Sequence, residues 1–143
     1  MDSGDATRDL EFCGLVVSIC AATVVSLRRR SSAQYGPITF ERCIEVVKEN
    51  QLLESKAIFT LEWCQAKYNF GCALGAEMGL DNQMGFRFMS DAVMGIKYLV
   101  YYELPQMSLV DQQLLKRLYW LVFVGLWFVK LMLLTSISKL TLR

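Results

Sequence analysis

A long apolar stretch near the C-terminal end of the sequence limits the possible folds of this chain more than any other feature. Residues 118–140 carry only two charges, Lys130 and Lys139. At a helical rise of about 1.5 Å per residue, this stretch covers roughly the 30 Å thickness of the hydrocarbon core of a bilayer. We therefore predict that residues 118–140 form a transmembrane helix.

A second apolar run lies near the N-terminal end. Residues 12–27 carry no charge, and with Leu10 included the run approaches the lower limit of about 17 residues for a transmembrane helix. A signal peptide is a poor match because its basic residues precede the apolar run, whereas here they follow it. We expect a transmembrane helix over Leu10–Leu27, with a buried core helix or strand and an uncleaved targeting segment as alternatives.

Three arginines, Arg28, Arg29 and Arg30, follow this run directly. Under the positive-inside rule they predict that this end of the helix lies on the cytoplasmic or matrix side, close to lipid headgroups. The acidic N-terminus would then lie on the opposite side of the membrane. A solvated charge run with no role in orientation is the simpler alternative.

The composition favours a membrane protein and argues against several other classes. Hydrophobic residues make up 54% of the sequence and the mean hydropathy is +0.31, whereas soluble globular chains contain about 45–50% apolar residues. The net charge of +1 gives no clustered basic surface for nucleic acid. The sequence has no histidine, and its five cysteines contain no CxxC pair. We therefore expect no metal site, no cofactor and no catalytic constellation.

The middle of the chain reads as a series of helices. Thr39 is the nearest capping residue before a short amphipathic helix, residues 52–80 have the pattern of a longer helix, and a third helix is predicted to end before Pro105. Together with the apolar runs, these patterns predict an all-α fold in three regions. The regions are residues 1–30 (acidic N-terminus, first transmembrane helix and basic stop), 31–107 (amphipathic helical middle region) and 108–143 (a long helix whose second half is transmembrane).

Three glycines recur every four residues within the predicted helix over residues 52–80. Gly71, Gly75 and Gly79 would form a ridge along one face, which lets another helix backbone approach closely. We predict a helix-packing or partner interface at these three positions. Flexible or helix-ending glycines, and close approach of a ligand, are the alternatives.

The last helix carries one charge deep in its apolar half. Ser108 followed by Asp111 resembles a capping box, so the helix should begin near Leu109. Lys130 lies far inside the apolar half, where an ionisable side chain is costly. Three interpretations remain open for Lys130: snorkelling to the interface, an ion pair or lipid-phosphate contact within an assembly, and a role in transport.

These patterns predict an integral membrane protein with two transmembrane helices flanking the helical middle region. If the first span runs from the outside to the inside, the second returns, and both termini face the same compartment. The leading functional hypothesis is a non-catalytic accessory subunit of a multi-subunit complex of the respiratory-chain or ATP-synthase type. Its expected partners are other membrane-protein subunits and phospholipids, and its expected location is the mitochondrial inner membrane.

Two hypotheses from other classes compete with this one. A self-contained membrane-shaping or tethering protein would lay the amphipathic helices between residues 39 and 103 on the membrane surface. A small oligomeric transporter or channel would use Lys130 and Glu77 as intramembrane charges. An enzyme has the least support, because a cysteine nucleophile would lack a histidine partner in this chain.

Overall fold

The described part of the chain is entirely helical. In the computed structural model, the backbone is described for residues 3–28, 38–54, 58–79 and 82–141, and the side chains for residues 10–27, 38–54, 58–79 and 82–127. These residues form helices and no strands, so the predicted all-α class is confirmed. The helices are α1 (Ser3–Arg28), α2 (Phe40–Glu49), α3 (Leu61–Met78), α4 (Gln83–Tyr98) and α5 (Leu109–Thr141).

Side-chain caps fix where most of these helices begin. A capping oxygen accepts the backbone N–H three residues later, which satisfies one of the unpaired donors of the first helical turn. The predicted cap at Thr39 is confirmed, and Ser108 accepts the N–H of Asp111 at 3.1 Å just before α5. The full set of caps is Thr39 to Arg42, Thr60 to Trp63, Asn82 to Gly85 and Ser108 to Asp111.

The helix predicted over residues 52–80 is shorter than the sequence suggests. Gln51 has a φ of 52° directly after α2, and α3 begins only at Leu61, after the cap at Thr60. Leu52 and Leu53 are buried without being helical, because the chain crosses the core there. An apolar pair next to a helical pattern looks like part of that helix in sequence, which explains the error.

The connection from α4 to α5 keeps turning past the predicted helix end. A π-helical turn, Leu99–Glu103, continues α4, and a 3₁₀ turn, Leu104–Gln106, follows it. Pro105 lies at the start of the 3₁₀ turn, where a missing backbone N–H costs little. The prediction that the third helix ends before Pro105 is confirmed, because α4 ends at Tyr98 and its π-helical continuation ends at Glu103.

Helices α1 and α3 run in the same direction. The Thr60 hydroxyl donates to the Glu11 carboxylate at 2.9 Å, and the Asn69 amide donates to the Ser18 hydroxyl at 3.0 Å. The pairs advance together along both helices, so the helices are parallel. We call the end of the bundle that holds Glu11 and Thr60 the lower end.

Helix α4 runs antiparallel to α3 and packs closely on it. A methyl group at Gly95 would meet the Cys64 sulfur at 2.5 Å, and one at Gly71 would meet the Met89 Cγ atom at 2.6 Å. Residue numbers rise along α3 as they fall along α4, which defines the direction. The close approach at two glycines makes α3 and α4 the central pair of the bundle.

Helix α5 runs parallel to α3. Asp111, near the start of α5, lines a groove together with Leu61 at the lower end, and the Tyr68 hydroxyl, higher on α3, donates to the Leu121 carbonyl at 3.5 Å. Helices α1, α3 and α5 therefore all rise from the lower end. The sequence-based topology, in which the second span returns antiparallel to the first, is wrong for this packing. The apolar stretch of α1 and the start of the apolar stretch of α5 instead lie at the same height in the bundle. The two helices run in the same direction.

Helix α2 descends along the outside of α1 and α3. Phe40, at its start, lines a surface groove with Leu74 and Met78 near the upper end of α3. Leu52, just beyond its end, lies lower, where a methyl group at Gly14 would be 3.5 Å from its carbonyl oxygen. The five α-helices of the described residues thus form an up-and-down bundle.

Two hydrophobic clusters hold this bundle together. The first joins α1, α2 and the upper half of α3, and the second joins the lower ends of α3, α4 and α5. The first contains Ala21, Val25, Phe40, Cys43, Val47, Leu52, Leu53, Ala66, Phe70, Ala73 and Leu74. The second contains Leu61, Trp63, Cys64, Ile96, Leu99, Leu115, Leu118 and Val122.

Within the described residues, one stretch is long and apolar enough to cross a membrane. That stretch is Leu10–Leu27, of which 28% is buried inside the bundle. The second predicted span, residues 118–140, is helical in its backbone, but its side chains from residue 128 onward lie outside the described part. One candidate membrane-spanning helix is therefore found, and the second remains a prediction.

Candidate functional site

The outer face of α1 and the outer face of α5 over residues 119–127 are apolar. Exposed residues on α1 include Phe12, which is 64% exposed, and the corresponding face of α5 carries a row of exposed aromatic rings. Neighbouring rings of this row have centroids 5.8–6.4 Å apart. The exposed apolar residues are Leu10, Phe12, Val16 and Ile19 on α1, and Tyr119, Trp120, Leu121, Phe123, Val124, Leu126 and Trp127 on α5.

The outer face of α2 is charged and lies at the same height as the apolar stretch of α1. Its exposed charges are Glu41, Arg42, Glu45, Lys48 and Glu49. Arg42 donates to Glu45 at 2.9 Å and lies 3.8 Å from Glu49, and the Glu45 hydrogen bond is the main cause that raises the pKa of Arg42. The outer faces of the neighbouring helices α1 and α2 therefore differ, since the first is apolar and the second is charged.

A buried ion pair joins α3 to α4 in the interior. The Lys67 ammonium lies 2.7 Å from an Asp91 carboxylate oxygen, and Lys67 is only 3% exposed. The same ammonium lies 4.8 Å from the ring centroid of Trp63 and 4.6 Å from that of Phe88. The electron-rich faces of these rings stabilise a cation that has left water.

This buried ion pair was not predicted from the sequence. A lone lysine on an amphipathic helix reads as a solvated charge, and its carboxylate partner lies 24 residues away. A usable signal was present at Trp63, four residues before Lys67 and therefore on the same helix face. An aromatic ring beside a lysine on an otherwise apolar face indicates that the lysine can be buried.

The glycine ridge lies partly inside the bundle and partly on its surface. Gly71 packs against Met89 of the same chain, and Gly85 of α4 approaches α3 closely, since a methyl group there would lie 3.3 Å from Leu74. Gly79 is the residue that ends α3, with a φ of 93°. One side of an open groove is also formed by Gly71, Gly75 and Gly79. The same three positions were predicted as a helix-packing interface, with close approach of a ligand as an alternative.

This groove lies between α3, α4 and α5 and has a volume of about 630 Å³. We call it the glycine groove. Its walls are mostly apolar, and one charged residue, Lys97, is among its described lining residues. The described lining consists of Gly71, Gly75, Gly79, Asn82, Gly85, Phe86, Met89, Ser90, Val93, Met94, Lys97 and Leu126.

A second groove at the lower end has a different chemistry. Its volume is about 620 Å³, and four carboxylate residues line it: Glu11, Glu62, Glu103 and Asp111. Glu11 accepts from Thr60, and Asp111 accepts from Ser108 at 2.7 Å, so at least two of the carboxylates serve helix starts. Among the described side chains, no group of three or more histidine, cysteine, aspartate or glutamate residues is arranged to hold a metal ion.

The buried thiols are poor nucleophiles. Burial, helped by the charge of Glu62, raises the pKa of Cys64 to about 12. Burial is also the main cause that raises the pKa of Cys43. Because the thiolate is the nucleophilic form of cysteine, these two residues behave as small apolar side chains at neutral pH.

The remaining predicted positions lie at the margin of the described part. Arg28 is the last residue of α1, and its side chain lies outside the described side chains. Arg29 and Arg30 lie outside the described residues altogether. Lys130 belongs to the helical backbone of α5, but its side chain also lies outside the described part.

The described part of the chain thus defines an all-α, up-and-down helical bundle with one candidate membrane-spanning helix. Comparison of the chain with protein-family models, with curated proteins and with solved structures finds no match.

Proposed function

We propose that this protein is a non-catalytic, integral membrane subunit of a larger protein assembly. One observation carries the proposal: the apolar outer face of α1 and the charged outer face of α2 lie at the same height of one bundle. An apolar face of this kind is stabilised by lipid, whereas a charged face is not. A bundle with both faces at one depth is suited to the boundary between lipid and a protein partner.

The size of the effect supports a protein partner over lipid on the α2 side. A charged side chain at the centre of a bilayer costs about 2.5–3.5 kcal/mol on insertion scales. The outer face of α2 carries five charged residues, and their mutual ion pairs offset part of that cost. The remaining cost is large compared with ordinary folding stabilities of about 5–15 kcal/mol, so these charges need polar neighbours.

The interior of the bundle fits the same environment. Lys67 and Asp91 pair inside, and two aromatic rings face the ammonium group. Ionisable residues of membrane helices characteristically point to the interior and pair with each other. The raised pKa of Cys64 supports a structural rather than a catalytic use of that thiol.

The alternative of a surface-lying tether loses support from the packing of α2. Such a tether would insert the apolar face of its amphipathic helix into the membrane surface. In α2 that face consists of Phe40, Cys43 and Val47, and all three are buried inside the chain. The energy-converting membrane, with the mitochondrial inner membrane as its first instance, remains the location that we propose from the sequence.

Site-specific photo-crosslinking of the full chain in its native membrane tests this proposal. A photoreactive amino acid replaces Glu45 on the charged face of α2, and the matched control replaces Val16 on the apolar face of α1. We expect Glu45 to give adducts with a discrete protein and Val16 to give mainly lipid adducts. Release of the chain by an alkaline carbonate wash, or an absence of protein adducts at Glu45, would contradict the proposal.

A further inference from the structure

The dimensions of the glycine groove suit a single extended hydrocarbon chain. Its lining on α4 runs from Asn82 to Lys97, which corresponds to about 22 Å of helix. One leaflet of a bilayer core is roughly 15 Å thick, so a lipid chain that spans one leaflet fits within this length. The walls of Phe86, Met89 and Val93 provide the apolar contact that such a chain requires.

Two lysines lie at the lower mouth of this groove. Lys97 lines the groove directly and is exposed. Lys116 of α5 is also exposed. It lies ten positions before Leu126, the α5 residue that lines the groove, so the two side chains project about 80° apart around the helix axis. The residues just before the two lysines, Ile96 and Leu115, belong to the hydrophobic cluster at the lower ends of α3, α4 and α5, which places both lysines in the lower half of the bundle.

Among the described side chains, neither Lys97 nor Lys116 forms an ion pair with a carboxylate, although Glu103 and Asp111 line the neighbouring groove at the same end of the bundle. An exposed cation at the edge of an apolar surface is the usual arrangement for contact with an anionic lipid headgroup. Apolar walls with cations at one end match a molecule that has a hydrocarbon chain and a phosphate.

We propose that the glycine groove binds one acyl chain of an anionic phospholipid, with its phosphate beside Lys97 and Lys116. The proposal rests on the proposed membrane location, because a chain embedded in a membrane is in direct contact with phospholipids. Gly75 and Gly79, which Met89 does not cover, have a physical role here, since their lack of side chains lets the hydrocarbon lie against the backbone of α3. Lipid bound in this way fills the gap between α5 and the central pair of helices.

Native mass spectrometry of the full chain in mild detergent tests this inference, with dioleoyl phosphatidylglycerol as the anionic probe and dioleoyl phosphatidylcholine as the neutral one. We expect one phosphatidylglycerol per chain, bound in preference to phosphatidylcholine. Lys97→Gln and Lys116→Gln should each weaken phosphatidylglycerol binding about fivefold, the effect typical of one cation at an anionic lipid surface. Neither change should affect phosphatidylcholine. The matched control is Lys48→Gln on α2, which should leave both lipids unaffected.

A second variant tests the groove rather than its charge. Ser90 lines the groove and is exposed, so Ser90→Trp should fill the groove without disturbing the core. Binding of both lipids should fall at least tenfold, while Ser26→Trp, at an exposed serine of α1, should change neither. Equal lipid retention by wild type and Ser90→Trp would overturn the inference, and so would lysine variants that behave like Lys48→Gln.

The outcome separates this inference from the proposed function. A chain that resists carbonate extraction and crosslinks to protein through Glu45, yet retains no phosphatidylglycerol, overturns the lipid site and leaves the membrane subunit standing. A chain that carbonate releases overturns both proposals. Crosslinks from a photoreactive group at Ser90 to another protein would show that a partner occupies the groove, which also overturns the lipid site.

Discussion

Removal of the Asp91 charge is the sharpest test of how the central helices are held together. Asp91→Asn keeps the shape of the side chain but leaves the Lys67 ammonium without its partner at 2.7 Å. Breaking a buried ion pair on one side typically costs about 3–5 kcal/mol, because the remaining charge is left uncompensated. The Lys67 side chain is 4% exposed but that of Asp91 is 35% exposed, so water near Asp91 lowers the expected loss to the bottom of that range, about 3 kcal/mol.

Thermal unfolding of the purified full chain in detergent measures this loss. For a chain of this size, about 3 kcal/mol corresponds to a decrease in Tm of roughly 10 °C. The double variant Lys67→Met, Asp91→Leu should recover most of the stability, because apolar residues of similar volume can replace a buried pair at little cost. Lys48→Met, which removes an exposed lysine from α2, serves as the control. A Tm for Asp91→Asn within about 2 °C of wild type would refute the assignment of Lys67 as a buried, paired cation.

Three further predictions test other parts of the structure. Gly71→Ala should lower the free energy of unfolding by about 1–3 kcal/mol, because the new methyl group would overlap Met89. The loss should be smaller when Met89→Ala is added. Denaturant titration measures both free energies of unfolding. With a pKa of about 12, about one Cys64 side chain in ten thousand is a thiolate at pH 8. A thiol reagent should therefore modify the exposed Cys13 and leave Cys64 unmodified until the chain unfolds. Mass spectrometry of the digested protein shows which residue reacts. Lys130→Met should reduce the yield of the assembled complex on native gels, because it removes an ion pair or lipid contact; unchanged assembly together with unchanged activity would leave snorkelling as the role of Lys130.

Local features of the fold were predictable because they depend on neighbouring residues. The caps at Thr39 and Ser108 each act on a backbone N–H three residues away, so a short stretch of sequence contains the whole interaction. The start of α5 at Leu109 follows from the same rule. The all-α class follows from helical periodicity over long stretches.

The arrangement of the helices was not predictable in the same way. The bonds that make α1 and α3 parallel join Glu11 to Thr60 and Ser18 to Asn69, across 49 and 51 residues of sequence. No periodicity in a single sequence identifies such partners. The sequence therefore predicted an amphipathic helical region between two spans, and it did not show that α3 and α4 are the centre of the bundle.

The candidate site was predictable only in part, for a similar reason. The spacing of Gly71, Gly75 and Gly79 identified a face that a neighbour approaches closely. It did not reveal that Met89 covers the first glycine, or that the groove continues to Lys97 on another helix. A groove between three helices is a property of their packing, so its lining residues become visible only once the packing is known.

The mass of the particle that contains this chain, after extraction of native membranes with mild detergent, shows directly whether the chain is a subunit of a larger assembly. The chain alone has a mass of 16.3 kDa. The account predicts that it migrates with other membrane proteins in a discrete complex of larger mass, and that those proteins include the one crosslinked from Glu45 on α2. Recovery of the chain as a free monomer under these conditions would contradict the account.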